Sequence, residues 1–127
     1  MRKVISLNCC SLRSLEKRAR LQAIVEEHRP NIIIGCETHL DESYSSAEVF
    51  PRGFAIIRKD RCFGGGGIFL AVSSEFPFLD VSINTDAEMI WVKITPIYGE
   101  TLFICSFIDR LMETLNQLKI LNLAYYH

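Results

Sequence analysis

The sequence lacks the cysteine pairs and the long apolar stretches by which several protein classes are recognised. Its five cysteines include no Cys-x-x-Cys pair, and their odd number argues against a disulfide scaffold or a zinc site. No stretch approaches the roughly 18 apolar residues that a membrane helix needs. Ser6, Asn8 and Ser11 interrupt the N-terminal segment, which is therefore not a convincing signal peptide. We expect a protein of the nucleus or cytoplasm, in a reducing compartment, with no transmembrane segment.

A charge excess of either sign is also missing. The chain has 14 Lys and Arg against 15 Asp and Glu, a net charge of −1. Any contact with nucleic acid must therefore rely on a local basic patch. The 127 residues, 49% of them hydrophobic, are enough for one domain with a core. The three histidines form no Ser/His/Asp or Cys/His grouping by their spacing.

A short apolar run within Asn31 to Leu40 ends on a carboxylate. The three consecutive isoleucines at 32–34 favour a strand covered on both faces, although periodicity alone leaves a buried helix segment open. Glu37 follows at the point where this strand emerges. Taken alone, Glu37 is either a solvated strand end or helix cap, or a group that binds a cation.

A strand, a helix and a second strand are predicted in succession over the first third of the chain. Lys3 to Cys9 alternates as a strand, and a helix begins after Ser14 and ends at His28. A crossover of this length returns the chain parallel to the first strand. We therefore expect Asn8 and Glu37 to emerge together at the C-terminal edge of the sheet, where ligand sites of open α/β sheets form.

The rest of the chain predicts mostly strands. Residues 41–52 are expected to form a surface loop, and Leu111, Leu115 and Leu118 recur at helical spacing, which predicts a helix over 109–123. The strand spanning 101–107 has apolar residues on both faces, so we expect both to be covered. The remaining strands are expected at 54–57, 68–72, 78–83 and 89–95, the last forming a hairpin with 101–107.

The run Gly64 to Gly67 does not match a phosphate-binding loop. A Walker loop needs Lys-Ser or Lys-Thr after the glycines and a dinucleotide loop opens a helix, whereas Ile68 here begins a predicted strand. A tight or bulged connection between strands is the favoured interpretation.

Four further polar residues are candidates for a supporting role. Arg58, Lys59 and Arg61 place three cations within four residues, either to hold a nucleic-acid phosphate or, as the sequence alone favours, to keep a sheet edge soluble. His39 lies two residues from Glu37, close enough to act on its carboxylate, although a loop histidine is more often simply solvated.

Several of these segments together resemble a known superfamily. The residues from Leu7 to Arg13, then Pro30 to Ile34 leading into Glu37-Thr38-His39-Leu40, resemble the endonuclease/exonuclease/phosphatase superfamily. The closer likeness is to the apurinic-endonuclease-like domain of non-LTR (LINE, jockey-type) retrotransposons. The basic segment before the glycines and Ile90-Trp91-Val92 continue the likeness to about residue 107.

The resemblance implies a fold, an activity and site residues. It implies a partial four-layer α/β sandwich of the DNase I-like type, with 1–107 as the N-terminal half of the domain and 108–127 as a divergent helical tail. It also implies hydrolysis of a DNA phosphodiester bond with Mg²⁺ or Mn²⁺, to nick target DNA. Glu37 would bind the metal and Asn8 would help to organise the catalytic site. His39, Arg58, Lys59 and Arg61 are candidates for a supporting shell or for DNA contact.

The departures from the superfamily pattern are equally specific. Cys10 stands where many relatives carry Asp or Asn, and Ile108-Asp109-Arg110 replaces a tyrosine and a proline-containing loop. The Gly-Asp-Phe-Asn and Ser-Asp-His segments, with their catalytic aspartate and histidine, are absent. We therefore expect a truncated chain that is inactive alone. The alternative is a non-catalytic retroelement remnant, an interaction module that self-associates or binds a protein partner through an uncovered sheet.

Overall fold

The part of the chain that the structure describes forms two β-sheets, and the sequence predicts most of their strands. The computed structural model describes residues 2–61, 65–82, 88–95, 101–107 and 119–123. In chain order the described elements are β1 (Arg2–Asn8), α1 (Leu15–His28), β2 (Ile32–Cys36), α2 (Ser46–Val49), β3 (Phe54–Lys59), β4 (Ile68–Ser73), β5 (Phe78–Asp80), β6 (Met89–Ile94), β7 (Leu102–Phe107) and β8 (Lys119–Leu123).

The first sheet has the strand order β3-β4-β2-β1-β8. Strands β1 and β2 are parallel and joined by α1, which confirms the predicted strand–helix–strand unit. The other neighbours in this sheet pair antiparallel. The second sheet, β5-β6-β7, is antiparallel throughout, and its β6–β7 pair confirms the predicted hairpin.

Helix α1 begins and ends where local signals place it. The Ser14 hydroxyl accepts a hydrogen bond from the amide of Lys17, which satisfies one of the first-turn donors. At the other end Arg29 adopts a left-handed conformation, with φ of 47°, and its amide donates to the carbonyl of Val25 at 2.8 Å. Leu21 is the fully buried residue of the helix. Neither described helix is long and apolar enough to cross a membrane.

The two faces of the first sheet are both covered, which explains why its central strands are so apolar. The five residues Ile68–Val72 of β4 are all buried, as a strand with two covered faces requires. One face packs on the second sheet through Val4, Ile32, Ile68, Leu70, Val72, Ile90, Val92, Ile94 and Ile104. The other face packs on α1, α2 and their flanking loops through Cys9, Leu12, Leu21, Ile33, Leu40, Val49, Phe50, Phe69 and Ala71.

The outer face of the second sheet differs from expectation. The prediction that β7 is covered on both faces is wrong, because Phe103 and Phe107 are 61% and 56% exposed. Leu79 on β5 lies on the same face, because Leu79 and Phe103 are both paired with Lys93. Leu79 is 62% exposed. We call Leu79, Phe103 and Phe107 the outer apolar face.

Three further predictions need correction. The helix predicted over 109–123 is wrong at Lys119–Leu123, which forms β8 and pairs antiparallel with β1, satisfying the backbone groups of that edge. The part of that helix at 109–118 lies outside the described residues. The loop predicted at 41–52 contains the short helix α2, whose Ser45 and Glu48 form a capping box. The strand predicted at 78–83 is β5, which ends at Asp80.

Candidate active site

Asn8 and Glu37 emerge at one edge of the first sheet, as the predicted topology requires. Asn8, the last residue of β1, pairs with Cys36, the last residue of the parallel strand β2. Glu37 is the next residue. The amide of Cys9 donates to the carbonyl of Cys36 at 2.9 Å and continues the pairing beyond the strands. The two chain segments therefore leave the sheet side by side.

Beyond the strand ends, the backbone adopts conformations that side chains normally disfavour. Cys10 and Ser11 after β1, and Glu37 and His39 after β2, all have positive φ, from 50° to 80°. A non-glycine residue in this region costs on the order of 1–3 kcal/mol and persists where the surrounding structure holds it. Two hydrogen bonds do so here. The amide of Ser11 donates to the Glu37 carbonyl at 2.9 Å, and that of Leu12 donates to the Thr38 carbonyl at 2.8 Å.

A third segment, Gly66 and Gly67, borders Glu37-Thr38-His39 on its other side. The amide of Thr38 donates to the Gly67 carbonyl at 3.3 Å, and the amide of His39 donates to the Gly66 carbonyl at 2.8 Å. The strand predicted after the glycines is confirmed, because β4 begins at Ile68. The tight or bulged connection stays a prediction, because residues 62–64, which include Gly64, lie outside the described residues. Their contact with the residues around Glu37 was not predicted, since no sequence signal indicates that β4 lies beside β2.

The carboxylate of Glu37 is held by its nearest histidine. His39 Nε2 lies 2.7 Å from Glu37 Oε2, and both side chains are partly buried. An ionised carboxylate only accepts hydrogen bonds, so Nε2 is the protonated nitrogen in that state. The structure thus brings together the two residues that the sequence places two positions apart, and the second carboxylate oxygen, Oε1, is a further donor atom for a cation.

Asn8 orders its own turn. Its Oδ1 accepts hydrogen bonds from the Cys10 amide at 3.0 Å and from the Cys10 thiol at 3.3 Å. The side-chain oxygen of the last residue of β1 is therefore directed at Cys10. The Asn8 side chain helps to hold Cys10 at its positive φ of 50°.

The three predicted cations do not form one cluster. Arg58 is only 14% exposed, donates to both carboxylate oxygens of Asp60, and also donates to the carbonyl of Asp41 at 2.7 Å. The exposed Arg61 forms an ion pair with Glu88. Lys59 is half-buried within β3. Arg58 therefore holds the 41–46 loop against β3.

Arg13 also contacts the residues that follow Glu37. Its Nε donates to the carbonyl of His39 at 2.5 Å, and its Nη2 forms an ion pair with Asp41 at 3.1 Å. The guanidinium groups of Arg13 and Arg18 lie 5.7 and 5.5 Å from the centre of the Tyr44 ring. No local sequence pattern predicts these contacts, because they join residues more than twenty positions apart.

Two ionisable groups near the edge have shifted pKa values. Burial raises the pKa of the Cys9 thiol, with a smaller contribution from neighbouring Cys36. Hydrogen bonds from the Ser43 hydroxyl and amide lower the pKa of the exposed Asp41 carboxyl.

The donor set fits magnesium in type and is minimal in number. Within the described ranges, no group of three or more His, Cys, Asp or Glu residues could hold a metal ion. Magnesium, however, usually binds through one or two carboxylates and completes its shell with water and phosphate oxygens. Glu37 supplies one such carboxylate. The described residues therefore suit a divalent cation shared with a phosphate, and they do not form a closed cage.

Comparisons with solved structures identify the fold. An AP endonuclease, LMAP, from Leishmania major has a TM-score of 0.64 at 18% identity over 84% of this chain and 40% of its own. The endonuclease domain of TRAS1, a telomere-specific non-LTR retrotransposon, has a TM-score of 0.62 at 15% identity over 90% of this chain and 48% of its own. The 3′ phosphatase NExo from Neisseria, bound to product DNA hairpin, has a TM-score of 0.53 at 16% identity over 81% of this chain and 40% of its own.

These likenesses show that the chain has a DNase I-like α/β fold. The chain spans less than half of the length of each of these three structures. By sequence, no protein-family model and no curated protein matches it.

Proposed function

We propose that the chain provides the metal-binding edge of a DNA endonuclease that depends on Mg²⁺ or Mn²⁺ and nicks target DNA for a non-LTR retrotransposon. The observation that carries the proposal is the position of Glu37 beside Asn8 at the C-terminal edge of parallel strands, with its carboxylate oriented by His39. The fold and the retrotransposon endonuclease among the similar structures support it. The chemistry of this edge also supports the proposal, because a carboxylate oxygen is the ligand type that a hard cation prefers.

Each residue has a distinct role in the proposed site. Glu37 holds the cation, which when bound polarises the phosphate and stabilises the leaving oxygen. His39 holds the Glu37 carboxylate in one orientation, as groups behind a metal ligand do. Asn8 keeps the turn at Cys10 in shape through its side-chain oxygen. The site is thus organised before substrate arrives.

DNA is the partner that this edge suits. The net charge of −1 offers no general attraction to a polyanion, so contact depends on local cations. Arg13 and Arg18 both lie over the Tyr44 ring, and Arg13 also donates to the His39 carbonyl, so two guanidinium groups are available close to the segment that follows Glu37. NExo, one of the structural relatives, is bound to a DNA hairpin.

We also propose that this chain alone does not cut DNA. The 127 residues contain neither the Gly-Asp-Phe-Asn nor the Ser-Asp-His segment of the superfamily. Proton transfer by a positioned acid or base contributes typically about 10²–10⁴-fold to a rate. This chain would hold the cation with one carboxylate and has no identified group to activate the attacking water. It therefore lacks the rate enhancement that proton transfer provides.

The test combines DNA cleavage with metal binding. We expect no nicking of supercoiled plasmid, with Mg²⁺ or Mn²⁺, by the wild-type chain or by Glu37→Ala. Mn²⁺ binding is followed by the paramagnetic resonance of the free ion. We expect the wild type to bind Mn²⁺ and Glu37→Ala to lose this binding. Glu42 is an exposed carboxylate in the next loop, so Glu42→Ala is the control and is expected to bind Mn²⁺ as the wild type does.

The outcomes separate the parts of the proposal. Nicking by the wild type that disappears in Glu37→Ala would support the endonuclease and overturn the expected inactivity. Equal Mn²⁺ binding by the wild type and Glu37→Ala would refute Glu37 as the metal ligand. Nicking that survives in Glu37→Ala indicates a contaminating nuclease.

A second candidate function, from a different class, rests on the outer apolar face. Leu79, Phe103 and Phe107 are each more than half exposed on one face of one sheet. Such a patch is typical of an interaction site. On this hypothesis the chain is a non-catalytic retroelement-derived module that associates with a second copy of itself. Sedimentation velocity is expected to show concentration-dependent association that Phe103→Ser reduces, and a monomer at all concentrations would contradict it.

A further inference from the structure

We propose that Gly66 and Gly67 are positioning residues for Glu37, a role that goes beyond connecting two strands. The inference rests on the proposed metal site, because it concerns how the Glu37 carboxylate is kept in place. We call these two residues the glycine segment. Their backbone carbonyls accept the hydrogen bonds from the amides of His39 and Thr38 described above.

The glycine segment is one of two supports on either side of Glu37-Thr38-His39. Ser11 and Leu12 bond to the carbonyls of Glu37 and Thr38 on one side. The glycine segment bonds to the amides of Thr38 and His39 on the other. The unfavourable positive φ angles of Glu37 and His39 are thus held between two neighbouring segments, and the Glu37–His39 side-chain contact depends on both angles.

Gly67 cannot carry a side chain in this arrangement. A Cβ atom at Gly67 would overlap Thr38 Oγ1 and lie 3.7 Å from the amide nitrogen of His39, and its φ of 90° also disfavours any other residue. Thr38 is completely buried, so its side chain has no free space into which to move. A substitution at Gly67 must therefore displace the backbone that follows Glu37.

Gly66 has a softer neighbour. A Cβ atom there would overlap the guanidinium group of Arg61, the flexible end of an exposed side chain that pairs with Glu88. That group can move away, at the expense of its ion pair. Gly66→Ala is therefore the milder of the two substitutions, although its φ of 58° is also in the left-handed region.

Gly53 offers a matched control for backbone strain. Its φ is 90°, the same as that of Gly67, but a Cβ atom at Gly53 would meet nothing within 4 Å. Gly53→Ala and Gly67→Ala therefore introduce the same strained conformation, and only the second introduces the collision with Thr38. The difference between the two variants isolates the contact with the residues around Glu37.

The experiment measures two properties of the 127-residue chain. Mn²⁺ affinity is measured for the wild type, Gly53→Ala and Gly67→Ala, and the ¹³Cα and ¹³Cβ chemical shifts of Glu37 and His39 report their backbone conformation. We expect Gly67→Ala to weaken Mn²⁺ binding by about tenfold, as loss of a supporting group around a metal ligand does, and to shift both residues. Gly53→Ala is expected to leave both properties unchanged.

A second substitution tests the steric cause. In Gly67→Ala combined with Thr38→Ala, the atom that collides with the new Cβ is removed, so we expect part of the lost Mn²⁺ affinity and the wild-type shifts to return. If Gly67→Ala does not fold, Gly66→Ala takes its place, and smaller changes in the shifts and a smaller loss of affinity are expected, because its left-handed φ still strains the carbonyl that bonds to His39.

The possible failures are distinguishable. If Gly67→Ala and Gly66→Ala both keep the wild-type Mn²⁺ affinity and chemical shifts, the positioning role is overturned and the proposed metal site is not affected. If the wild type and Glu37→Ala bind Mn²⁺ equally, the proposed function fails. The chemical shifts then still decide whether the glycine segment holds Glu37 in place.

Discussion

His39 Nε2 and Glu37 Oε2 lie 2.7 Å apart, on two residues that both adopt left-handed backbone conformations. In a regular strand, side chains two positions apart point to the same face but are separated by nearly 7 Å along the strand. The two positive φ angles bring these side chains into contact. The contact therefore depends on the unusual backbone as much as on the residue types.

The first prediction concerns His39. In His39→Ala the Glu37 carboxylate loses the group that orients it, so we expect Mn²⁺ affinity to fall by about tenfold. His28, which lies 3.8 Å from Glu27 at the end of α1, is the matched control. His28→Ala is expected to bind Mn²⁺ as the wild type does. Equal affinities for all three proteins would remove His39 from the site.

The second prediction concerns the stability that two arginines contribute. Arg58 is mostly buried and bonded to Asp60 and Asp41, so Arg58→Gln is expected to lower the free energy of unfolding by about 2–4 kcal/mol. Arg61→Gln removes the partner of the Glu88 carboxylate, whose side chain is only 15% exposed, and is expected to cost about 1–3 kcal/mol, because a mostly buried acceptor then loses its donor. Urea denaturation measures both. A wild-type stability for Arg58→Gln would show that Arg58 does not hold the 41–46 loop.

The third prediction concerns the close approach of β2 and β4. A Cβ atom at Gly35 would overlap the ring of Phe69, which is fully buried and packs at 4.6 Å from the ring of Phe50. We expect Gly35→Ala to destabilise the fold by about 1–3 kcal/mol, the usual cost of overpacking a core. Gly65→Ala, where a Cβ meets nothing within 4 Å, is the control. Equal unfolding midpoints for the two variants would contradict the expectation.

The fourth prediction concerns the buried thiol of Cys9. Its pKa is raised by burial, so at any pH below that pKa the folded protein holds less of the reactive thiolate than an unfolded chain does. At pH 8 we expect iodoacetamide to modify Cys9 much more slowly in the native protein than in urea, as measured by peptide mass spectrometry. Rapid native modification of Cys9 would show that this part of the core opens easily.

The raised pKa of Cys9 also has a consequence for stability. The unfolded thiol ionises near its ordinary pKa of about 8.5. The stability that the protonated Cys9 contributes is thus complete below that pH and is lost as the pH rises above it. Cys9→Ala is expected to lack this part of the alkaline destabilisation.

The elements with strong local signals were predictable. Ser14 caps α1, Pro30 prevents its continuation, and the isoleucines of β2 are β-branched, so the first β–α–β unit and the shared edge of Asn8 and Glu37 follow from short-range patterns. Each of these signals depends on residues only a few positions apart, and the structures that they predict are present in the fold.

Features decided by distant partners were not predictable. The helical spacing of Leu111, Leu115 and Leu118 predicts that the helix continues through Lys119–Leu123. This segment forms a strand instead, because the edge of β1 is available for pairing. Phe103 and Phe107 alternate as a covered strand would, and only the packing of the second sheet determines that they are exposed. The contacts of the glycine segment likewise depend on β4 lying beside β2.

The pairing of β1 with β8 has a consequence for folding on the ribosome. Ile5 is aligned with Ile120, so all the residues between these two positions are synthesised before this pair can form. Contacts between such distant positions form slowly, because a large loop must close first. Until then the free edge of β1 is open to pairing with another nascent chain. The yield of the folded protein is therefore expected to depend on how quickly residues 119–123 reach that edge.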